Sequence, residues 1–171
     1  IKELHKRKIS SFLVTNGTNP LMLKKLLLKK QQPTQLYITL PAPDEKTYNK
    51  VCKPLIKDGW KKIMQSLKLI HKFKRSVIRL TLVKEENMSH PEKYAEIIRK
   101  TKPLFVELKA YMWLGYSRAR MKEKNMPLHE DIIEFAQQIS KLSGYKIIDE
   151  KKESRVALLM KKDFKGRKMK F

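Results

Sequence analysis

The stretch FVELKAYMWLGYSRAR, residues 105–120, decides the fold because it reads as a β-strand with two different faces. Apolar residues alternate along one side of it, beginning with Val106. The opposite side carries Glu107, Lys109 and Tyr111, since successive side chains of a strand point to opposite faces. Charged groups on a core strand are unusual and indicate either an ion pair or a site, because burying an unpaired charge costs several kcal/mol.

Three further strands are predicted upstream of this stretch, and each is followed by a helical pattern. The predicted strands cover residues 10–18, 35–43 and 76–84. Strand–helix alternation predicts right-handed parallel βαβ units, so the fold class is α/β. A complete eight-stranded barrel needs about 250 residues, whereas this chain has 171. We therefore expect either an open sheet or the later strands of a partial TIM-type (β/α) barrel, in one domain with a basic C-terminal tail.

Polar residues recur at every second position on one face of successive predicted strands. They are Tyr37 and Thr39, Arg79 and Thr81, and then Glu107, Lys109 and Tyr111. These side chains are expected to point into the lumen, close to the C-terminal strand ends where α/β barrels carry their sites. A structural ion pair of Glu107 with Lys109 or Arg79 is the alternative. Lys109 also allows an aldolase-like barrel, because a lysine of lowered pKa forms Schiff bases with carbonyl substrates.

The charge of the chain predicts a polyanionic partner. Lys and Arg number 40 against 17 Asp and Glu, which gives a net charge of +23. Nucleic acid is the leading expectation, ahead of an anionic membrane surface or mere solubility. Directly after the fourth strand, the segment GYSRAR places Tyr116 beside Arg118 and Arg120, and arginines of this kind bind phosphates while aromatic rings stack on bases. A noncatalytic RNA-binding α/β module is therefore a second hypothesis.

The sequence itself offers no metal site and no membrane segment. Cys52 is the only cysteine, and the four histidines lack the spacing of metal ligands. No apolar run is long enough to span a bilayer and no signal peptide is visible, so a cytoplasmic location is expected. Neither a GxGxxG motif nor a P-loop is present.

Four segments of the chain carry a resemblance to a known family. Three of them are FLVTNGT, QLYITLPAPDEKTYNKVCKPLIKDGW and SVIRLTLVKEENM. The fourth, FVELKAYMWLGYSRARMKEKNMPLHEDI, is the most specific, and the likeness runs from about residue 11 to residue 160. Together they resemble the tRNA 4-demethylwyosine synthases, a family of radical S-adenosylmethionine (SAM) enzymes. The CxxxCxxC motif of the family is absent from this sequence, and Pro41 stands where the family has an acidic residue.

The resemblance implies that residues 1–171 are the C-terminal part of one radical SAM-type barrel domain, with residues 161–171 as a basic tail. It implies a lyase that condenses N1-methylguanosine beside the anticodon of tRNA(Phe) with pyruvate, forming 4-demethylwyosine. The implied cofactors are SAM and [4Fe–4S] clusters whose cysteines precede Ile1. A monomer is expected, and the electron donor is left unassigned.

The resemblance also assigns roles to residues of this sequence. Glu107, Lys109 and Tyr111 are expected to be catalytic. The residues expected near SAM are Asn16, Thr18, Thr39 and Arg79. The residues expected to contact RNA are Tyr116, Arg118, Arg120 and Asn125. No residue of this chain is expected to bind metal.

Overall fold

The structure is a computed structural model that describes residues 1–169. Its six strands are β1 (Phe12–Thr15), β2 (Gln35–Thr39), β3 (Ser76–Leu82), β4 (Phe105–Ala110), β5 (Lys146–Lys151) and β6 (Val156–Met160). Its α-helices are α1 (Lys2–Lys6), α2 (Pro20–Leu28), α3 (Glu45–Cys52), α4 (Gly59–Leu69), α5 (Pro91–Thr101) and α6 (His129–Ser143). Short 3-10 turns occupy Ile70–Lys72, Gly115–Ala119, Glu123–Asn125 and Lys152–Ser154.

The strands form one mixed sheet in the order β1-β2-β3-β4-β6-β5. The first four strands are parallel neighbours in chain order, which confirms the α/β prediction. The last two form an antiparallel hairpin, with β6 paired to β4 and β5 at the edge. The segments YKIID and RVALLMKK predict both of these strands, but the sequence does not predict their direction or order.

The two faces of the sheet differ in chemistry. One face packs against the helices in a continuous apolar core in which residues such as Leu36, Ile78 and Leu108 are fully buried. The other face, here called the inner face, holds a smaller apolar cluster of Val77, Phe105 and Met160. The predicted polar residues lie on this inner face. The division follows from the two-residue period of the strands.

The strands are shorter than the sequence pattern suggested. The second strand ends at Thr39 rather than 43, because the prolines that follow cannot supply ladder donors. The spacing of Ser89 and Glu92 is that of a capping box and predicts Ser89 as the cap of the fifth helix. In the structure this helix begins at Pro91, with His90 directly before it. Proline fits the first helical position and fixes the start there.

Asp44 ties the start of α3 to α5. Its carboxylate accepts a hydrogen bond from the Thr47 backbone N–H at 2.9 Å and one from the Lys93 ammonium at 2.5 Å. The bond from Lys93, followed by that from Thr47, lowers the pKa of Asp44 from 3.8 to about 2. The charged form is therefore the one that stabilises the fold.

Replacing Asp44 by alanine (Asp44→Ala) should lower the free energy of unfolding at pH 7 by about 1–2 kcal/mol. Because the folded-state pKa is depressed, this contribution is complete above pH 3.8 and disappears as the pH falls toward about 2. Urea unfolding at pH 7, 5 and 3 measures it, with the exposed neighbour Glu45→Ala as control. An effect of Asp44→Ala that stays constant down to pH 3 contradicts the ion-pair account.

Candidate functional site

Adjacent strands bring the predicted polar residues of the inner face into register. Thr39 pairs with Arg79, which in turn pairs with Glu107, and one step further along, Thr81 pairs with Lys109. The arrangement confirms that these side chains share one face of the sheet and are not scattered over the outer shell.

The centre of the inner face is an ion pair stacked on an aromatic ring. Arg79 donates from Nε to Glu107 Oε1 at 2.6 Å, and its guanidinium lies 4.5 Å from the centroid of the Tyr37 ring. The Glu107 side chain is 13% exposed and that of Arg79 is 26% exposed. Burial first, and the Glu107 charge second, raise the pKa of Tyr37. The pair is thus partly desolvated, which strengthens its attraction.

Lys109 is half-buried on the same face, two residues beyond Glu107. The pairing of Glu107 with Arg79 leaves Lys109 without an ion-pair partner among residues 1–169. Its strand neighbours in register are Thr81 and Val156, neither of which is charged. A half-buried ammonium without a carboxylate is suited to an anionic or carbonyl ligand.

Tyr111 turns from the end of β4 into the following loop. Its backbone N–H donates to the carbonyl oxygen of Leu82 at 2.8 Å, and its hydroxyl donates to Ser117 Oγ at 2.6 Å. Ser117 in turn donates to the carbonyl oxygen of Leu114 at 2.6 Å. Tyr111 therefore lies at the rim of the inner face and helps to order this loop.

The loop at 112–121 presents cations and rings outward. The guanidinium of Arg118 lies 4.8 Å from the Trp113 ring centroid and donates from Nε to the Trp113 carbonyl oxygen at 3.2 Å. The Trp113 indole donates to the Met121 carbonyl oxygen at 2.9 Å. Tyr116 is 98% exposed, and Arg120 is exposed as well. The segment is held by its own side chains while its outer groups face solvent.

Asn125 is buried, whereas the expected contact with RNA requires an exposed side chain. It is 6% exposed, its Nδ2 donates to the Lys84 carbonyl oxygen at 2.9 Å, and its Oδ1 accepts from the Lys122 N–H at 2.9 Å. An amide used in this way joins the loop to the end of β3. The structure therefore gives Asn125 an internal role.

Of the residues expected near SAM, Asn16, Thr18 and Thr39 lie at or just after the carboxyl ends of β1 and β2, whereas Arg79 lies in the middle of β3, in register with Thr39. Asn16 Oδ1 accepts from the Thr18 N–H at 3.1 Å and from its hydroxyl at 2.8 Å, which makes a compact turn after β1. Gly17 between them has a φ of +73°, and an added Cβ would lie 3.0 Å from Ile38. Thr39 is half-buried beside Arg79, which is held by Glu107.

Asn87 is a site-forming residue that the sequence analysis did not single out. It is 1% exposed, and its Oδ1 accepts from the Val83 N–H at 2.6 Å. Its Nδ2 donates to the carbonyl oxygens of Pro41 at 2.8 Å and Thr81 at 2.9 Å. One side chain thus joins the ends of β2 and β3 at the rim. An asparagine in the turn after a strand was the available signal, but the partner that links it to β2, Pro41, is 46 residues away in sequence.

The basic tail was predicted as residues 161–171, and its described part folds across the amino-terminal strand ends. Arg167 binds Asp149 and Asp163, each at 3.1 Å, and its carbonyl oxygen accepts from Arg75 Nη2 at 2.9 Å. Together with β2, β4, β5 and β6 this segment lines a pocket of about 370 Å³ that reaches Tyr37 and Glu107. Residues 170 and 171 of the predicted tail lie outside the described residues.

Residues 1–169 contain no group of three or more His, Cys, Asp or Glu side chains placed to hold a metal ion. Cys52 is half-buried in α3, and burial raises the pKa of its thiol, which disfavours the thiolate that metals need. Within the same residues, none of the helices is long and apolar enough to cross a membrane.

The sheet and its polar inner face are those of a partial radical SAM barrel. The fold resembles that of the radical SAM enzyme coproporphyrinogen III oxidase (HemN) from Escherichia coli, with a TM-score of 0.59 at 15% identity over 89% of this chain and 35% of that one. It is closer to a structure of TYW1 with a lysine–pyruvate adduct bound, with a TM-score of 0.82 at 35% identity over 94% of this chain and 50% of that chain.

Sequence comparison finds the same likeness at higher identity. Residues 100–161 match the family model for wyosine base formation. The S-adenosyl-L-methionine-dependent tRNA 4-demethylwyosine synthase of Pyrococcus abyssi is 52% identical over 165 residues, which are 95% of this chain and 48% of that protein. The chain therefore matches, over nearly its whole length, about half of a member of the tRNA 4-demethylwyosine synthase family, and the resemblance seen in the sequence is confirmed.

Proposed function

We propose that the protein carrying this chain is a tRNA 4-demethylwyosine synthase, which condenses N1-methylguanosine beside the anticodon of tRNA(Phe) with pyruvate. The observation that carries the proposal is Lys109, a half-buried ammonium without an ion-pair partner in the described residues, next to the Arg79–Glu107 pair. The family match gives wyosine base formation as the reaction context.

Lys109 and its neighbours supply binding and orientation in this proposal. The ammonium holds the carboxylate or carbonyl group of pyruvate, and the Glu107 carboxylate, fixed by Arg79, is a hydrogen-bond acceptor for the base. A related TYW1 structure holds a lysine–pyruvate adduct. We infer that a lysine of this protein forms the corresponding adduct, and Lys109, which is half-buried on the inner face, is the lysine with which to test that.

The residues present fit one of the two implied cofactors. Thr39 and the turn formed by Asn16 and Thr18 offer hydroxyl and amide groups at the strand ends, and these groups suit the polar parts of SAM. Arg79 lies beside Thr39 in the strand register. SAM supplies the radical chemistry when it is bound. A [4Fe–4S] cluster does not fit the described residues, which have no cluster of ligands. We propose that its cysteines correspond to residues in the half of the relatives that this chain does not match.

The loop after β4 is proposed to contact the tRNA. The exposed Tyr116 ring stacks on an unpaired base, while Arg118 and Arg120 bind phosphates. The target nucleotide has to leave its stack to reach the inner face, because Lys109 and Glu107 lie on the sheet rather than on the outer surface. We further propose that residues 1–171 are the C-terminal part of one barrel domain in a monomeric, cytoplasmic enzyme.

The test is a reconstituted reaction of the whole protein. It receives iron–sulfur clusters, SAM, a reductant, pyruvate and tRNA(Phe) that carries N1-methylguanosine, and the tRNA nucleosides are analysed by mass spectrometry. We expect 4-demethylwyosine to form only when both pyruvate and the methylated tRNA are present. Salt-sensitive tRNA binding without any change of the nucleosides would instead indicate an RNA-binding module. A borohydride-trapped pyruvate adduct that needs no iron, without tRNA product, would indicate the aldolase-like alternative.

A further inference from the structure

A groove runs along the outer helical layer between α2 and α4, away from the inner face. Its volume is about 870 Å³, and Lys24 lies on one wall while Lys62 and Lys68 lie on the other. Thr18 and Asn19, directly after β1, form one end of it. We call this surface the α2–α4 groove. The end formed by Thr18 lies at the carboxyl ends of the parallel strands, where the candidate site is.

The two helices that form the groove lack acidic residues, and the acidic residue nearest to them in sequence is Asp58, directly before α4. No Asp or Glu occurs in residues 4–43 or in residues 59–84, the two ranges that contain α2 and α4. Within the described residues, Lys24, Lys62 and Lys68 form no ion pair. Lysines elsewhere do: Lys50 binds Glu86 at 2.8 Å, and Lys100 binds Glu96 at 2.5 Å.

Uncompensated lysines facing each other across a concave surface repel one another, and a polyanion relieves that repulsion. The groove also exposes apolar side chains between its lysines, since Leu21 is 77% exposed and Ile56 is 45% exposed. Alternating phosphate charge and ribose surface match such a lining. A membrane surface is flat and reaches the rims of a groove rather than its walls, so the shape favours a narrow polymer.

We propose that the α2–α4 groove binds the sugar–phosphate backbone of the tRNA at a distance from the modified nucleotide. The groove leads the backbone to Thr18 at the rim, from where the nucleotide reaches the inner face. This inference rests on the proposed function for the identity of the RNA. The groove lysines neutralise phosphates, so their contacts do not depend on the sequence of the RNA.

The test compares two triple variants of the whole protein that remove the same charge. The groove variant is Lys24→Ala/Lys62→Ala/Lys68→Ala, and the control is Lys50→Ala/Lys100→Ala/Lys152→Ala, whose lysines pair with Glu86, Glu96 and Glu130. Binding of tRNA is measured between 50 and 200 mM salt. Each lost phosphate contact lowers the slope of log K against log salt by about 0.7–0.9. We expect the groove variant to lose about 2–3 units of slope and roughly 10-fold or more in affinity, and the control to lose less than about one unit.

An unchanged slope in the groove variant, or equal losses in both variants, overturns the proposal. Vesicles of phosphatidylserine provide a second probe: if the groove variant loses vesicle binding but keeps its tRNA slope, the surface is a membrane site and the proposal is wrong. Thermal unfolding confirms that both variants are folded. If the wild type binds tRNA through the groove but forms no 4-demethylwyosine, only the proposed function is refuted. If the wild type forms 4-demethylwyosine but the groove variant keeps the salt slope of the wild type, only the groove proposal is refuted.

Discussion

Replacing Lys109 by methionine (Lys109→Met) is expected to lower the rate of 4-demethylwyosine formation by about 100-fold or more. Methionine keeps most of the length of the side chain but removes the ammonium, which is half-buried and has no ion-pair partner in residues 1–169. Because no carboxylate depends on that charge, folding should change little. Product formation by the reconstituted whole protein and its melting temperature are the two measurements.

Two further variants separate the possible roles of Lys109. Lys109→Arg keeps the charge but cannot form a Schiff base, so recovery of activity in it identifies an electrostatic role and continued loss identifies a covalent one. Borohydride trapping with labelled pyruvate reports the same difference directly. The exposed helix residue Lys100 serves as the control (Lys100→Ala) and should keep full activity. Full activity in Lys109→Met would remove Lys109 from the site.

The Asn87→Ala substitution should lower the free energy of unfolding by about 2–4 kcal/mol, which is more than is expected for Asp44→Ala. Asn87 is 1% exposed and its side chain makes three hydrogen bonds, to the Val83 N–H and to the carbonyl oxygens of Pro41 and Thr81. Alanine leaves these buried backbone groups without that partner, and each such loss costs about 1–3 kcal/mol.

Urea unfolding compares Asn87→Ala with Asn49→Ala, an exposed asparagine on α3 that should change stability by less than about 0.5 kcal/mol. Asn87→Asp keeps the acceptor for Val83 but loses the two donors, and it should also place a buried charge beside two carbonyl oxygens. We expect it to be at least as destabilising as alanine. If Asn87→Ala unfolds like the control, the rim does not depend on this side chain.

The sequence predicted the parallel half of the sheet because its signal is local. Apolar alternation, followed by a turn and a helical pattern, is contained within each βα unit, and the four parallel strands lie in chain order. The hairpin is different, since β6 lies between β4 and β5. That placement depends on which strands pair with each other, and the pattern of residues within one strand does not predict its neighbours.

The candidate site was predictable as a face but not as a set of contacts. The two-residue period placed Glu107 and Lys109 on one side of β4, and the structure agrees. Whether Glu107 pairs with Lys109 or with Arg79 depends on the register between β3 and β4, which the sequence does not specify. Asn125 shows the same limit, because its polar side chain was equally compatible with a ligand and with the buried carbonyl oxygen of Lys84.

The tail that crosses the amino-terminal strand ends restricts the direction from which a ligand can approach the inner face. Arg167 is anchored to Asp149 and to Arg75, and with its neighbours it lines the pocket that reaches Tyr37 and Glu107. A ligand that entered past the described part of the tail would have to break these contacts.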